Sequence, residues 1–187
     1  MRKLFSIVFI IVVYTNSYAQ QWAFGIQCAS VVTNTHMIFD NKIESHPNLW
    51  DPLFSFSVNG YAQFNLNEKC GISAEPGFIR KGEILIGNEN DPSDDVSIHR
   101  NYLHIPVLGH FKFAGHFYTS IGPEFAYLLN VLAKSDDLEN DISRLYEKNF
   151  EISGIIGIGV TVFNHIDIEF RYNHGITTYR EMVWTNI

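Results

Sequence analysis

The chain has little cysteine, little basic charge and almost no long hydrophobic run. Two of its 187 residues are cysteine, Cys28 and Cys70. One bridge does not make a disulfide framework. Both cysteines fall on the apolar faces of strand candidates that are not neighbours, where Cα atoms stand beyond bridging distance, so both are expected as free thiols. Lys and Arg number 13 against 20 Asp and Glu. Residues 1–19 hold two of the bases and none of the acids, so the chain from Gln20 carries a formal charge of −9. That excludes the basic face a nucleic-acid partner requires. The longest apolar run, residues 4–13, falls well short of the roughly 20 residues of a membrane-spanning helix.

That run has another use. Arg2 and Lys3 precede it, polar Thr15, Asn16 and Ser17 follow it, and Ser17-Tyr18-Ala19 offers a small-x-small cleavage site. A charged start, a short apolar core and a small-residue exit describe a secretory signal peptide. Residues 1–19 are therefore expected to be removed, leaving one domain from Gln20 to Ile187.

What the chain does have is alternation. Over residues 54–66, Phe54, Phe56, Val58, Gly60, Ala62, Phe64 and Leu66 take one face, and Ser55, Ser57, Asn59, Tyr61, Gln63 and Asn65 the other. A period of two this long predicts a single strand between an apolar and a polar medium. Soluble strands usually stop at about 5–6 residues, whereas a tilted strand crossing a bilayer needs about 9–11. The pattern predicts seven strands, over residues 22–32, 54–66, 70–79, 102–113, 117–130, 150–163 and 166–173. Pro76, Pro106 and Pro123 fall inside three of them. Proline cannot donate to a ladder, so bulges or interrupted pairing are expected there.

The connections alternate as well. Residues 67–69, 114–116 and 164–165 are of hairpin-turn length, while 33–52, 80–100 and 131–149 are long and polar. Short turns on one side and long loops on the other describe an outer-membrane barrel, with periplasmic turns and extracellular loops. Acids crowd the loops: Glu83, Glu89, Asp91, Asp94 and Asp95 in the second, Asp136, Asp137, Glu139, Asp141 and Glu147 in the third. Residues 88–91 lack EF-hand spacing, so these are read as solvated loops and no metal or cofactor is expected. Leu138, Ile142 and Leu145 have helical spacing, which predicts a short amphipathic turn or two.

A period of two does not say which face is inside. A lipocalin-type barrel puts apolar side chains inward around a ligand; a membrane barrel puts them outward. The polar faces of the first three strands carry mostly Ser, Asn, Gln, Gly and Tyr, not the Lys and Glu of a water-facing surface. The strands are long, and aromatics (Phe54 and Phe64, Phe111 and Phe113, Phe117 and Phe125) end the apolar faces as interfacial girdles do. The fold class is therefore all-β, an antiparallel up-and-down transmembrane barrel of eight-stranded type. Its inward polar network is expected to be Glu75, His104, His110, Lys112, Glu124, Glu151, Asp167, Glu169 and Arg171, with Lys112 and Arg171 the permanent bases. A small barrel's interior is filled by side chains, and buried charges must be paired, so a structural plug is expected in preference to a proton or solute path.

These residues carry a resemblance. Gly77-Phe78-Ile79-Arg80-Lys81-Gly82, Tyr102-Leu103-His104-Ile105-Pro106-Val107-Leu108, Gly122-Pro123 before Ala126-Tyr127-Leu128-Leu129, and Glu169-Phe170-Arg171-Tyr172 before Gly175 resemble the PorT-like group of small outer-membrane β-barrels of Bacteroidetes. The resemblance covers nearly the whole chain after residue 19. It implies an eight-stranded barrel and no catalytic residues; the group's namesake is tied to a secretion and gliding apparatus. Such barrels commonly finish on a terminal aromatic. Here Met182-Val183-Trp184-Thr185-Asn186-Ile187 follows Thr178 too soon for a long loop and a full strand, so truncation before the last strand is expected, the alternative being a short strand after a tight turn.

The function expected is that of a non-enzymatic, monomeric outer-membrane barrel. It would contact lipid and act through extracellular loops or within an envelope or secretion assembly. Two other classes fit less well. A soluble lipocalin-like binder would need the apolar face inside. A lipid-modifying enzyme would need a nucleophile, base and orienter, for which Ser135-Asp136-Asp137 and His99-Arg100 qualify by residue type but not by spacing.

Overall fold

The computed structural model describes residues 8–15, 22–33, 50–86, 95–113, 115–135, 138–145, 149–162 and 166–177. It forms one antiparallel sheet of ten strands: β1 (Val8–Thr15), β2 (Trp22–Thr33), β3 (Trp50–Asn65), β4 (Cys70–Ala74), β5 (Gly77–Leu85), β6 (Val96–Phe113), β7 (Phe117–Ser135), β8 (Leu138–Asp141), β9 (Phe150–Val162) and β10 (Ile166–Gly175). Strands β4 and β5 both lie between β3 and β6, so they share one stave of the wall. Seven staves run from β2 through β3, β4/β5, β6, β7 and β9 to β10, and β1 spans the gap between β10 and β2. The short strand β8 folds back on the upper end of β7.

Side chains follow the alternation. Phe54 is 76% exposed, Ile26 62% and Ile121 63%, while Glu75, Ser120 and Glu169 on the other face are at most 1% exposed. Large apolar groups cover the outside of every stave whose side chains are described, from Trp22 on β2 to Phe170 on β10. A soluble monomer rarely exposes an apolar patch of more than a few hundred Å². Aromatics gather at two heights. Trp22 packs against Phe24 and Phe64, and Phe113 stacks on Phe117, at the short-turn end. Phe56 meets Phe78, and Phe125 stacks on Phe150, towards the long-loop end.

The turns close with local chemistry. In the β3–β4 connection, Asn67 Oδ1 accepts from the Lys69 and Cys70 amides at 2.8 and 2.7 Å. Gly115 between β6 and β7 takes φ +76°, a left-handed conformation that glycine adopts without steric penalty. Cys28 and Cys70 are free thiols.

The prolines interrupt pairing. Pro76, with Glu75, separates β4 from β5. The β6–β7 ladder is unpaired across Val107-Leu108 and Gly122-Pro123, resuming at Gly109↔Ile121. A Cβ at Gly122 would collide with the Val107 carbonyl, so this side-by-side approach needs a glycine. On its other edge Pro106 accepts from the Glu75 amide at 3.0 Å.

Two sequence expectations, both about strand length, are corrected. The segment 80–100 is not one long loop: β5 continues to Leu85 and β6 begins at Val96, so the strands stand taller than the alternation alone indicated. Charges at Arg80, Lys81 and Glu83 masked the pattern. Likewise β7 extends to Ser135. The helical spacing of Leu138, Ile142 and Leu145 predicts a short turn or two, and the structure has one, the 3-10 turn Ser143–Leu145, while Leu138 opens the hairpin strand β8. Asp141 Oδ1 accepts from the Ser143 amide at 2.9 Å and from its hydroxyl, which holds the Asp141 carboxyl below its ordinary pKa. The cleavage site at 17–19, the acids at 89, 91, 94, 136, 137 and 147, and residues 182–187 lie outside the described residues.

Strand β1 comes from the same residues that read as the core of an export signal. Loss of that segment would leave the ladder edges of β2 and β10 facing each other across one strand's width, which hydrocarbon does not tolerate. The protein recovered from an outer-membrane fraction is expected to begin at Gln20 by intact-mass measurement. Retention of residues 1–19 would make β1 the permanent closing strand.

Candidate functional site: the barrel interior

Inward side chains of all seven staves meet in a polar network. Arg171 on β10 reaches across to Glu75 in a two-pronged pair, Nη1 to Oε2 at 2.5 Å and Nη2 to Oε1 at 2.9 Å, while Nη2 also lies 2.9 Å from Glu169 Oε2. All three residues are buried. Glu169 further accepts from the Ser120 hydroxyl and from Tyr118 at 3.2 Å. Glu75 accepts from Ser73 at 3.1 Å, and the same hydroxyl lies 2.7 Å from His110 Nε2. The ring of His110 sits between Tyr61 and Tyr118, at centroid distances of 6.4 and 5.8 Å, towards the short-turn end.

A second cluster forms around Glu124 on β7. Lys81 Nζ lies 3.0 Å from its Oε1 and 3.2 Å from Glu151 Oε1. His104 Nδ1 is 3.0 Å from Glu124 Oε2, and Ser153 and Asn173 donate to Oε1 at 3.1 and 3.0 Å. The two clusters are joined. His104 Nε2 is 2.8 Å from Asn59 Oδ1, Asn59 is 2.8 Å from the Gln27 amide, and Gln27 lies between Glu75 and Arg171. With its nitrogen towards Glu75 and its oxygen towards Arg171, Gln27 satisfies both at 3.0 and 3.1 Å.

Towards the long loops the interior changes character. Val31, Ile79, Ile98, Tyr102, Ala126, Leu128 and Val131 form a buried apolar cluster, with Leu85 and Ile142 packed against it. Beside it Arg100 pairs with Glu83. Lys81 Nζ stands 5.2 Å from the Tyr102 ring centre, a cation–π distance. Space for these groups comes partly from glycine. A Cβ at Gly157 would strike Glu169 and Ser120, and one at Gly159 would fall on the Tyr118 ring.

Of the residues expected inside, Glu75, His104, His110, Glu124, Glu151, Asp167, Glu169 and Arg171 are buried, with Asp167 two positions from Glu169 on the same face of β10. Lys112 is not: it is exposed. Its position in the alternation is inward, but it sits next to the β6–β7 turn, where a four-carbon stem reaches water. The bases that do serve the interior include Lys81 and Arg100, both in the segment read as loop. Their signal was present in the alternation Ile79, Lys81, Glu83, Leu85. As for enzyme candidates, His99 and Arg100 point to opposite faces of β6, because Arg100 pairs inward with Glu83 while His99 lies across from Gly82 on the outer face.

An inverted barrel with apolar groups outward and paired charges inward defines a membrane-embedded strand protein. The chain belongs to the outer membrane protein beta-barrel domain family, whose pattern it matches over residues 18–179. No curated protein matches it. It is an outer-membrane β-barrel protein.

Removing one member of a buried ion pair leaves its partner unpaired, typically a loss of about 3–5 kcal/mol. Arg171→Ala is expected to destabilise the folded barrel by about that much in urea titrations followed by heat-modifiable gel mobility. Lys112→Ala, exposed at the turn, is expected to stay within about 0.5 kcal/mol of wild type. Equal effects from the two would mean that the interior pairs carry no special weight.

Proposed function

We propose that the protein is a non-enzymatic, monomeric outer-membrane barrel whose lumen is a structural plug, and that it acts through its long-loop end as part of an envelope or secretion assembly. The observation that carries this reading is the filling of the lumen. The Arg171–Glu75–Glu169 group and the Lys81–Glu124–Glu151 group are joined by direct hydrogen bonds, and an apolar cluster around Tyr102 lies towards the loops. Ions crossing it would have to break buried pairs and then pass apolar side chains. Membership of the PorT-like group of Bacteroidetes is the finer assignment we favour, on the motifs around Gly77-Phe78-Ile79 and Glu169-Phe170-Arg171, and removal of residues 1–19 on export belongs to the same reading.

The enzyme alternative is weakened by geometry. His99 and Arg100 cannot serve one centre from opposite faces of a strand. A soluble ligand-binding barrel would carry the outward Phe54, Ile26 and Ile121 in water, where nothing would cover them.

Planar-bilayer recordings test the plug. Purified protein is expected to give no large, steady conductance. Steady channels whose ion selectivity changes in Lys81→Ala would mean a water-filled pore lined by the same charges.

A further inference from the structure

The outer wall is notched on β7, β9 and β10. The floor of the notch is a row of three residues in register, Pro123 on β7, Gly154 on β9 and His174 on β10. Ile121, Ile156 and Tyr172 form the rim below that row. Ile176 stands above it, its amide donating to the Ile152 carbonyl at 2.9 Å. The groove holds about 330 Å³ and has an almost wholly apolar lining. That is the lower end of the range for small-molecule sites, about 300–1,000 Å³. The chain does not need the missing side chain for its own packing. A Cβ at Gly154 would meet only Ile176 Cδ1, at 3.9 Å, whereas one at Gly122, Gly157 or Gly159 would collide with neighbouring atoms. Glycine inside a strand leaves nothing to pack. A notch in an apolar wall forfeits dispersion contacts unless another molecule's atoms fill it. Its height is that of hydrocarbon: Pro123 lies two positions below Phe125, which stacks on Phe150 towards the long-loop end.

We propose that this groove holds one acyl chain of a lipid in the leaflet on the long-loop side. The surroundings select the occupant. The apolar wall is the protein's interface with hydrocarbon, and the groove is a continuous part of it. An acyl chain on the convex wall touches protein along one side; in the groove it meets a floor and two rims and gains the extra dispersion contacts. Lipid and wall are equally apolar, so this packing, and not the hydrophobic effect, sets the preference. His174, exposed at the level of the floor, is a hydrogen-bond donor for the ester or amide carbonyl at the head of that chain. A second barrel fits less well. A stable protein interface buries about 1,000 Å² or more, and a convex wall with one narrow notch offers little matching surface. The inference goes beyond the plug reading and needs only that the barrel be embedded.

The test uses the full exported chain, purified in a neutral maltoside detergent and titrated in native mass spectrometry. Its ligands are a dipalmitoyl glycerophospholipid, diphosphoryl lipid A, and glycerophosphocholine, a headgroup without chains. Expected is saturable retention of one chain-bearing lipid per barrel and none of glycerophosphocholine. Retention of either lipid supports the site, and the tighter one names its source. Gly154→Leu, which fills the floor, should weaken retention about tenfold. Ile176→Ala, at an exposed position, should weaken it by a smaller factor. Ala62→Leu adds bulk to the outer face of β3, opposite Phe24, and should change nothing. Heat-modifiable gel mobility reads the folding of each variant; should Gly154→Leu fail to fold, Ile176→Ala decides alone. Equal retention by wild type and the groove variants, or glycerophosphocholine binding as tight as that of the lipids, would overturn the site. So would a dimer that Gly154→Leu dissociates, which makes a second copy the occupant. Lipid that binds only after residues 178–187 are removed would overturn it too, by making the chain's own end the occupant.

Discussion

An arginine enclosed by two carboxylates, inside a wall whose other face is apolar, is the constraint on which the rest of the barrel depends. With the outer face given to Phe, Ile, Leu and Val, most charged residues of the spanning strands have to point inward. Once there, each needs partners, since an isolated buried charge is far costlier than a paired one. Six buried carboxylates, Glu75, Glu83, Glu124, Glu151, Asp167 and Glu169, face the cations Lys81, Arg100 and Arg171. Neutral donors absorb much of that imbalance: Ser73, Ser153, Asn173 and Tyr118 each donate to a carboxylate, and His104 adds a contact to Glu124. The polar residues of the interior are thus chosen for donor count as much as for charge.

Filling the lumen also dictates where side chains are missing. Gly157 and Gly159 on β9 face Ser120 and Tyr118 of β7 in register, and their lack of a Cβ is what lets Tyr118 lie flat against the wall and Glu169 reach Ser120. Large residues on β6 and β7 and small ones on β9 are one solution to a fixed cross-section. The same balance closes the upper half, where Tyr102 fills the space that Lys81 and the apolar cluster leave.

Much of this was legible in the sequence, because the wall obeys a period of two. The strand faces, the short turns, the interruptions at Pro76 and around Pro106 and Pro123, and the inward placement of Glu75, Glu124, Glu169 and Arg171 all follow from it. What escaped has physical reasons. Alternation tells face but not height, so Lys112 read as a lumen base although it stands at the rim. Polar content on both faces hid the upper strands: Arg80 points to the outer wall while Lys81 points in, and a run of charges looks like a loop. The pairing of Arg171 with Glu75, 96 positions away in sequence, comes from the circumference of the barrel and from no local pattern.

The slot held by β1 shows how far register can specify an occupant. The ladder sets Val8, Ile10 and Val12 opposite Arg171, Glu169 and Asp167 of β10, and Val12 also opposite Gln27 of β2. Those partners are inward positions of the neighbouring staves, where every other strand of the wall contributes polar groups. A strand that belonged there by its own sequence would alternate, with polar residues at these three places and apolar ones between. Residues 8–15 read Val-Phe-Ile-Ile-Val-Val-Tyr-Thr and do not alternate over their first six positions. They have the backbone propensity and the length to complete the hydrogen bonds of both edges, but their sequence lacks the alternation of the other staves. An export signal needs only the apolar run. A barrel stave needs the alternation as well, so the seam between β2 and β10 calls for a strand antiparallel to both, polar at the three positions opposite Arg171, Glu169 and Asp167.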